Sequence, residues 1–141
     1  MSIFNHNIFD NVRTRILVMH RQSLLLLPPK DAESAWRLPG GGLLPRESLA
    51  ECAVREVAEE TGIAITVAGV AFLREWAAPT YCHVDATADQ SGFGLEVYLY
   101  PSPCLPVGMA RPEHYSDPTP RWVPWPESVT LPLWPKEVKT L

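Results

Sequence analysis

Apolar and polar positions alternate in part from Val12 to His20, a stretch β-branched enough to predict a strand. Ser23 to Leu27 reads as its hairpin partner, turning at Arg21-Gln22. Pro28 to Ser34 is a loop, and Trp36 to Leu38 a short strand leading into Pro39-Gly40-Gly41-Gly42. From Ser48 to Gly62 the period becomes helical. Glu56, Glu59 and Glu60, spaced i, i+3, i+4, share one helix face. Ala50, Ala53, Val54, Val57 and Ala58 fall on the opposite arc, which is small, apolar and suited to packing on a sheet, while Leu49 and Cys52 lie nearer the acidic side. Ser48 followed by Glu51 matches a capping box, and Gly62 stands where a left-handed C-cap belongs. Ile65 to Trp76 predicts a long strand bent at Gly69. Residues 77–92 form a polar loop, and the aromatic-rich, alternating run Phe93 to Tyr100 predicts another strand.

The two ends differ from this middle. Residues 1–11 read as a polar arm anchored by Phe4, Ile8 and Phe9. Ten of the 15 prolines lie between Pro101 and Pro135, too dense for long helices or central strands. Arg121 to Pro124 suits a short edge strand, and Pro135 can open a brief terminal helix. Residues 101–141 are expected to be an ordered wrapping segment, because Trp122, Trp125, Leu131, Leu133 and Trp134 give it something to bury. The chain of 141 residues is read as a single domain, 1–141, long enough for one real core and too short for two.

Composition narrows the function classes. The net charge of −4 argues against broad nucleic-acid binding, though not against a small anionic substrate. Cys52, Cys82 and Cys104 fit neither a disulfide framework nor a zinc site, so reduced thiols in a cytoplasmic protein are expected. The N-terminal run MSIFNHNIFDNVRTR carries no signal-peptide pattern, and the longest aliphatic run, Leu24 to Leu27, cannot span a bilayer. His6, His20, His83 and His114 are dispersed without metal-ligand spacing.

The chemistry concentrates in residues 41–63. Three carboxylates on one helical face repel one another by a few tenths of a kcal/mol per pair. A hard divalent cation removes that penalty, and carboxylate oxygens are what Mg²⁺ prefers. A solvated acidic helix would explain the glutamates, but not the glycine run before them or Glu47, Arg55 and Gly62 at fixed offsets. The order Gly41, Glu47, Arg55-Glu56-Val57, Glu59-Glu60, Gly62-Ile63 resembles the signature box of the Nudix hydrolases at all nine defined positions. Trp36-Arg37-Leu38-Pro39-Gly40 just before it strengthens the likeness. The resemblance implies an α/β fold, the Nudix α/β/α sandwich with a mixed β-sheet and a loop-helix-loop catalytic motif.

It also implies roles. Glu59 and Glu60 would ligate Mg²⁺, with Mn²⁺ as a substitute. Glu56 would be a ligand or the general base, and the Gly40 carbonyl would complete the metal shell. Arg55 would hold a glutamate of the box in place, with Glu47 bracing the loop and Gly41 and Gly62 structural. An additional carboxylate from outside the box is sought near Ser116, where Glu113 and Asp117 are candidates, or at Glu96 on the aromatic strand. A charged strand residue such as Glu96 is more often simply solvent-facing. The implied activity is hydrolysis of a pyrophosphate bond in a nucleoside diphosphate linked to another moiety.

Substrate cues conflict. Pro79 lies near a position that the resemblance associates with ADP-ribose, and Tyr81 near one associated with diadenosine polyphosphates. Trp36, Trp76 and Tyr81 are candidates to stack on a base, and Arg13, Arg15, Arg37 and Arg74 to clamp phosphates. Cys82 touches on the diphosphate-isomerase branch of the fold. Two other classes stay open: a silent nucleotide-ligand sensor, and an interaction module that uses the proline–tryptophan tail, whose residues equally suit a homodimer contact.

Overall fold

The computed structural model describes residues 11–32, 34–77, 93–102, 119–128, 130 and 133–134. Phe4, Ile8, Phe9, Pro79, Tyr81, Cys82, Cys104, Glu113, Ser116, Asp117 and the helix expected at Pro135 lie outside the described residues, and Trp76 is placed by its backbone alone.

The mixed α/β fold expected from the sequence is the one found. The elements run β1 (Val12–Ile16), β2 (Met19–His20), β3 (Ser23–Leu26), β4 (Trp36–Arg37), β5 (Gly40–Gly42), α1 (Leu49–Thr61), β6 (Val67–Ala77), β7 (Phe93–Pro101), β8 (Arg121–Pro124), α2 (Trp125–Ser128) and β9 (Leu133–Trp134). One sheet has the order β5-β1-β7-β6, with β1 and β7 parallel and the other pairs antiparallel. A second has the order β2-β3-β8, and a third pairs β4 with β9 in parallel. No described helix is long and apolar enough to cross a membrane.

Val12 to His20 is two strands rather than the single one expected. The alternation reads straight through the break, since Ile16 and Val18 enter one apolar cluster while Leu17 packs against another. What changes is the partner: Leu17 donates to the Leu99 carbonyl (2.8 Å), whereas Val18 already accepts from Leu25 (2.9 Å). The hairpin turn at Arg21-Gln22 is as expected, and both residues have positive φ (47° and 62°), as a two-residue turn of type I′ requires.

Leu24, Leu25 and Leu26 are all fully buried because β3 is covered on both faces. Leu25 joins Ile16, Val18, Ala53, Val57 and Val97 on the α1 side, while Leu24 and Leu26 join Leu38, Tyr98 and Val123 on the other. Truncating Leu25 to alanine would cost about 2–5 kcal/mol by the cavity it leaves. In the tail, Arg121–Pro124 is the expected edge strand, and Trp122 and Trp125 pack one on each cluster. The sequence reading missed the short α2 that carries Trp125.

Two further expectations need correction. The glycine run is not all loop: Gly40–Gly42 is an edge strand paired with Arg13–Arg15. The arc of α1 that meets the sheet is also different. Cys52, Ala53, Val57 and Thr61 are buried, whereas Ala50, Val54 and Ala58 are exposed. The helix is thus rolled so that Glu56 and Glu60 dip toward β5. A strand of three glycines presents no side chains there and leaves room for carboxylates.

Candidate active site

Local signals fix the helix before any long-range contact does. Ser48 is extended (φ −76°, ψ 163°) and caps α1: Glu51 N–H donates to Ser48 Oγ (3.0 Å), and Ser48 N–H donates to Glu51 Oε2 (2.8 Å). Gly62 closes the other end with φ 74° and donates to the Ala58 carbonyl. The loop before the helix is tied by Leu44 N–H to Glu47 Oε1 (3.2 Å) and Glu47 N–H to the Leu44 carbonyl (3.1 Å).

Arg55 is the hub. Its Nε and Nη2 donate to the two oxygens of Glu47 (2.6 and 2.9 Å), a bidentate pair. Its Nη1 reaches both Glu56 Oε1 (2.9 Å) and Glu59 Oε2 (3.2 Å), and Nη2 also meets the Gly42 carbonyl (3.1 Å). The bonds from Arg55 pull the Glu47 carboxyl down to about 2, from an ordinary 4.5. Arg55 thus ties together the loop, the glycine strand and the carboxylate face.

The glycines create the space. A side chain at Gly41 would run into the Glu56 carboxylate, and one at Gly40, where φ is 150°, into the Thr14 backbone. Gly40 N–H donates to Glu60 Oε1 (2.8 Å), and Arg37 stands 3.6 Å from Glu60 Oε2. Burial pushes the Glu60 carboxyl up to about 7, against the opposing pull of the Gly40 N–H and Arg37. The ladder bonds Ile16 N–H to the Pro39 carbonyl and Leu43 N–H to the Val12 carbonyl make Arg15–Gly40 a non-hydrogen-bonded pair. The Gly40 carbonyl is therefore outside the β1 ladder. Cys52, which the sequence reading left unassigned, is buried beneath this strand, 3.3 Å from Thr14 Oγ1 and 3.5 Å from the Gly42 carbonyl. Burial raises its thiol to about 11.

Gly40, Gly41, Glu47, Arg55, Glu56, Glu59, Glu60 and Arg37 are thus brought together, while Gly62 acts at the far end of α1. Among the described residues, no three His, Cys, Asp or Glu side chains close around one point as metal ligands. Arg55 holds Glu56 and Glu59, and Gly40 and Arg37 hold Glu60. In chemistry, however, the donors suit a hard cation: carboxylate oxygens and a backbone carbonyl. Glu59, with 58% of its side chain exposed, has room to turn.

Glu96 departs most from expectation. It is not solvent-facing but fully buried. Its Oε2 accepts from Arg15 Nε (3.4 Å) and Tyr98 O–H (2.9 Å), and its Oε1 from Arg74 Nη1 (3.0 Å). Tyr98 stacks on Phe72 with ring centroids 4.1 Å apart. The sequence reading passed over Tyr98, although the i, i+2 spacing on an alternating strand already places it on the face of Glu96.

Comparison with known proteins points one way. A family model described as NUDIX domain matches residues 6–140. A protein of Bacillus subtilis (strain 168) with the provisional name 8-oxo-dGTP diphosphatase is 49% identical over 47 residues, which cover 33% of this chain and 31% of that protein. The chain therefore spans less than a third of the length of that curated relative. Among solved structures, the E. coli ORF135 protein superposes with a TM-score of 0.64 at 21% identity, covering 90% of this chain and 82% of that one. The E. coli dihydroneopterin triphosphate pyrophosphohydrolase superposes with a TM-score of 0.66 at 15% identity, covering 92% and 90%. At such identities the structural likeness speaks for the fold.

Proposed function

The chain belongs to the NUDIX family, and from that premise we propose that it is a pyrophosphohydrolase, cutting the pyrophosphate bond of a nucleoside diphosphate linked to a further group. The observation that carries this reading is the packing of Glu56 and Glu60 against a side-chain-free strand, with Arg55 bracing Glu56 and Glu59 from the loop side. Glu56, Glu59, Glu60 and the Gly40 carbonyl would hold Mg²⁺, or Mn²⁺ in its place. When bound, the metal supplies charge neutralisation at the phosphates and a lowered pKa for water.

The chain's own residues do the rest. A water oxygen attacks phosphorus, the bond from phosphorus to the bridging oxygen breaks, and a glutamate of the box takes the water's proton. No covalent enzyme intermediate is needed. Proton removal of this kind is worth about 10²–10⁴-fold in rate. Arg55 keeps Glu56 and Glu59 aimed, and Gly41 leaves Glu56 its space. Arg37, beside Glu60 and on the strand preceding the glycines, would meet a substrate phosphate, and Arg74 on β6, bonded to Glu96, would be a second clamp.

The substrate class runs from ADP-ribose and nucleotide sugars through dinucleoside polyphosphates to normal and oxidised nucleoside triphosphates. Two of the relatives carry a triphosphate in their names, which favours starting with triphosphates. A cytoplasmic location belongs to the same reading.

The test is Mg²⁺-dependent phosphate or pyrophosphate release across that panel, with Glu59→Gln as the blank. One strong substrate whose turnover vanishes in the variant is the expected result. Silence across the panel from a folded protein that binds Mg²⁺ would move the weight to a nucleotide sensor.

A further inference from the structure

On the sheet face opposite α1, cross-strand register sets two rows of residues side by side. One runs Gly40, Arg15, Tyr98, Phe72, and the other Gly42, Arg13, Glu96, Arg74. Glu96 sits in the middle with no exposure, between a guanidinium on β1 and one on β6. A buried carboxylate gripped by two arginines is weak evidence for stability, since well-packed apolar side chains of similar volume do as well or better. What such a group does provide is placement, because it ties one N–H of each guanidinium to a fixed, buried carboxylate.

The Arg15 guanidinium lies next to the box, and Glu96 joins it to Arg74, which stands on β6 at the opposite edge of the sheet from β5. Arg15 is the cross-strand partner of Gly40, whose N–H binds Glu60, and its Nη1 donates to the Leu38 carbonyl (3.3 Å) just before that glycine. At the edge of the platform, a Cβ built on Gly42 would meet nothing within 4 Å among the described residues. Arg15 and Arg74 keep 10% and 17% of their side chains exposed, while Glu96 beneath keeps none. Among the described residues the two arginines thus keep a narrow exposed edge, backed by a buried carboxylate that bonds them both.

We propose that Glu96 is a positioning residue for substrate, which holds Arg15 and Arg74 so that they grip the phosphates of a nucleotide whose anhydride lies at the glycine strand. Tyr98 is its brace: the hydroxyl bond fixes the carboxylate's rotation, and the stack on Phe72 fixes Tyr98. This role rests on the pyrophosphohydrolase reading for its location. It differs from that of a metal ligand or base, because both oxygens of Glu96 are engaged by Arg15, Arg74 and Tyr98.

The experiment titrates the full chain with a non-hydrolysable nucleotide, α,β-methylene-ADP, in Mg²⁺ by calorimetry, and measures KM, kcat and melting temperature in parallel. Glu96→Gln should weaken analogue binding and raise KM by about tenfold or more, the scale of one charge-assisted bond lost. Its kcat should stay within about twofold, because the box is untouched. Glu96→Asp should recover part of the affinity, and Tyr98→Phe, which keeps the stack, should show a smaller rise in the same direction. A folded Glu96→Gln with unchanged affinity overturns the proposal. So does a fall in kcat at constant KM, which would make Glu96 part of the chemistry. If Glu96→Gln does not fold, unchanged affinity in Tyr98→Phe overturns it instead. Wild-type protein that binds the analogue but turns over no substrate would sink the hydrolase reading alone, leaving the affinity comparison to decide for Glu96. Wild-type protein that does not bind the analogue overturns the proposal.

Discussion

Among the described residues, two arginine–carboxylate networks are built on opposite plans. In the first, Arg55 reaches Glu47, Glu56 and Glu59, all within eight residues of it along the chain. In the second, Glu96 takes Arg15 from 81 residues away and Arg74 from 22. The first hangs on one helix and its entry loop, keeps Glu59 mostly in water, and can re-form its bonds around a ligand. The second is locked between three strands and has a fully buried centre. The same functional groups thus serve different ends. The exposed network presents carboxylates that must rearrange, whereas the buried one holds cations that must stay still.

The sharpest way to separate them is to neutralise the carboxylate face of α1 to which the first belongs. Glu59→Gln or Glu60→Gln should lower metal-dependent turnover by about 10²–10⁴-fold, the range for losing a positioned acid–base group. Melting temperature should change little. Glu59 is largely exposed, and an amide oxygen in place of the Glu60 carboxylate can still accept from the Gly40 N–H. Wild-type rates in either variant would remove the box from the chemistry.

Displacing rather than deleting a carboxylate tests the geometry. Gly41→Ala puts a methyl group where the Glu56 carboxylate lies. A shift of about 1 Å in a reacting group can cost about 10²-fold, and that is the expected loss in kcat. The fold should survive, because β5 is an edge strand. Arg55→Ala should produce a loss of similar size by releasing Glu56 and Glu59 together. It should also lower stability by about 1–2 kcal/mol, a figure kept small because the cluster is partly solvated. That corresponds to a fall of roughly 2–8 °C in melting temperature. Arg55→Lys should not restore activity, since an ammonium cannot reproduce the bidentate grip on Glu47. The signatures of the two networks then diverge: a fall in kcat for Arg55, a rise in KM for Glu96.

That divergence also explains what was legible in the sequence. The box could be read because its cap, hub and carboxylates lie within one helix and one loop, where spacing fixes geometry. Ser48, Glu51 and Gly62 do in three dimensions what their positions announce. The seat of α1 could not be read in the same way. Periodicity gives the angle between arcs but not which arc a sheet will take. Here Glu56 and Glu60 turn inward because β5 has no side chains in their way and offers the Gly40 N–H to Glu60, leaving Ala50, Val54 and Ala58 outside. The partners of Glu96 depend on strand order, β1 beside β7 beside β6, which no local pattern encodes. Alternation placed Glu96 on a face without telling whether that face was wet.

The smallest effect expected is also the cleanest test of Arg55 as a structural hub. Bonding to Arg55 holds the Glu47 carboxyl at about 2 in the folded chain, against an ordinary 4.5. A carboxyl whose folded value is depressed adds stability that is fully present above the unfolded value. That stability must fade as pH falls from about 4.5 toward about 2, where the folded form also takes up the proton. Melting curves across that window should therefore fall more steeply for wild type than for Glu47→Gln, which has no proton to take up at this position. The two curves should converge at the acid end and stand apart by a constant amount above about pH 5. Parallel curves would show that Glu47 braces the loop through its bond to the Leu44 N–H rather than through its charge. Arg55 would then serve the helix face alone.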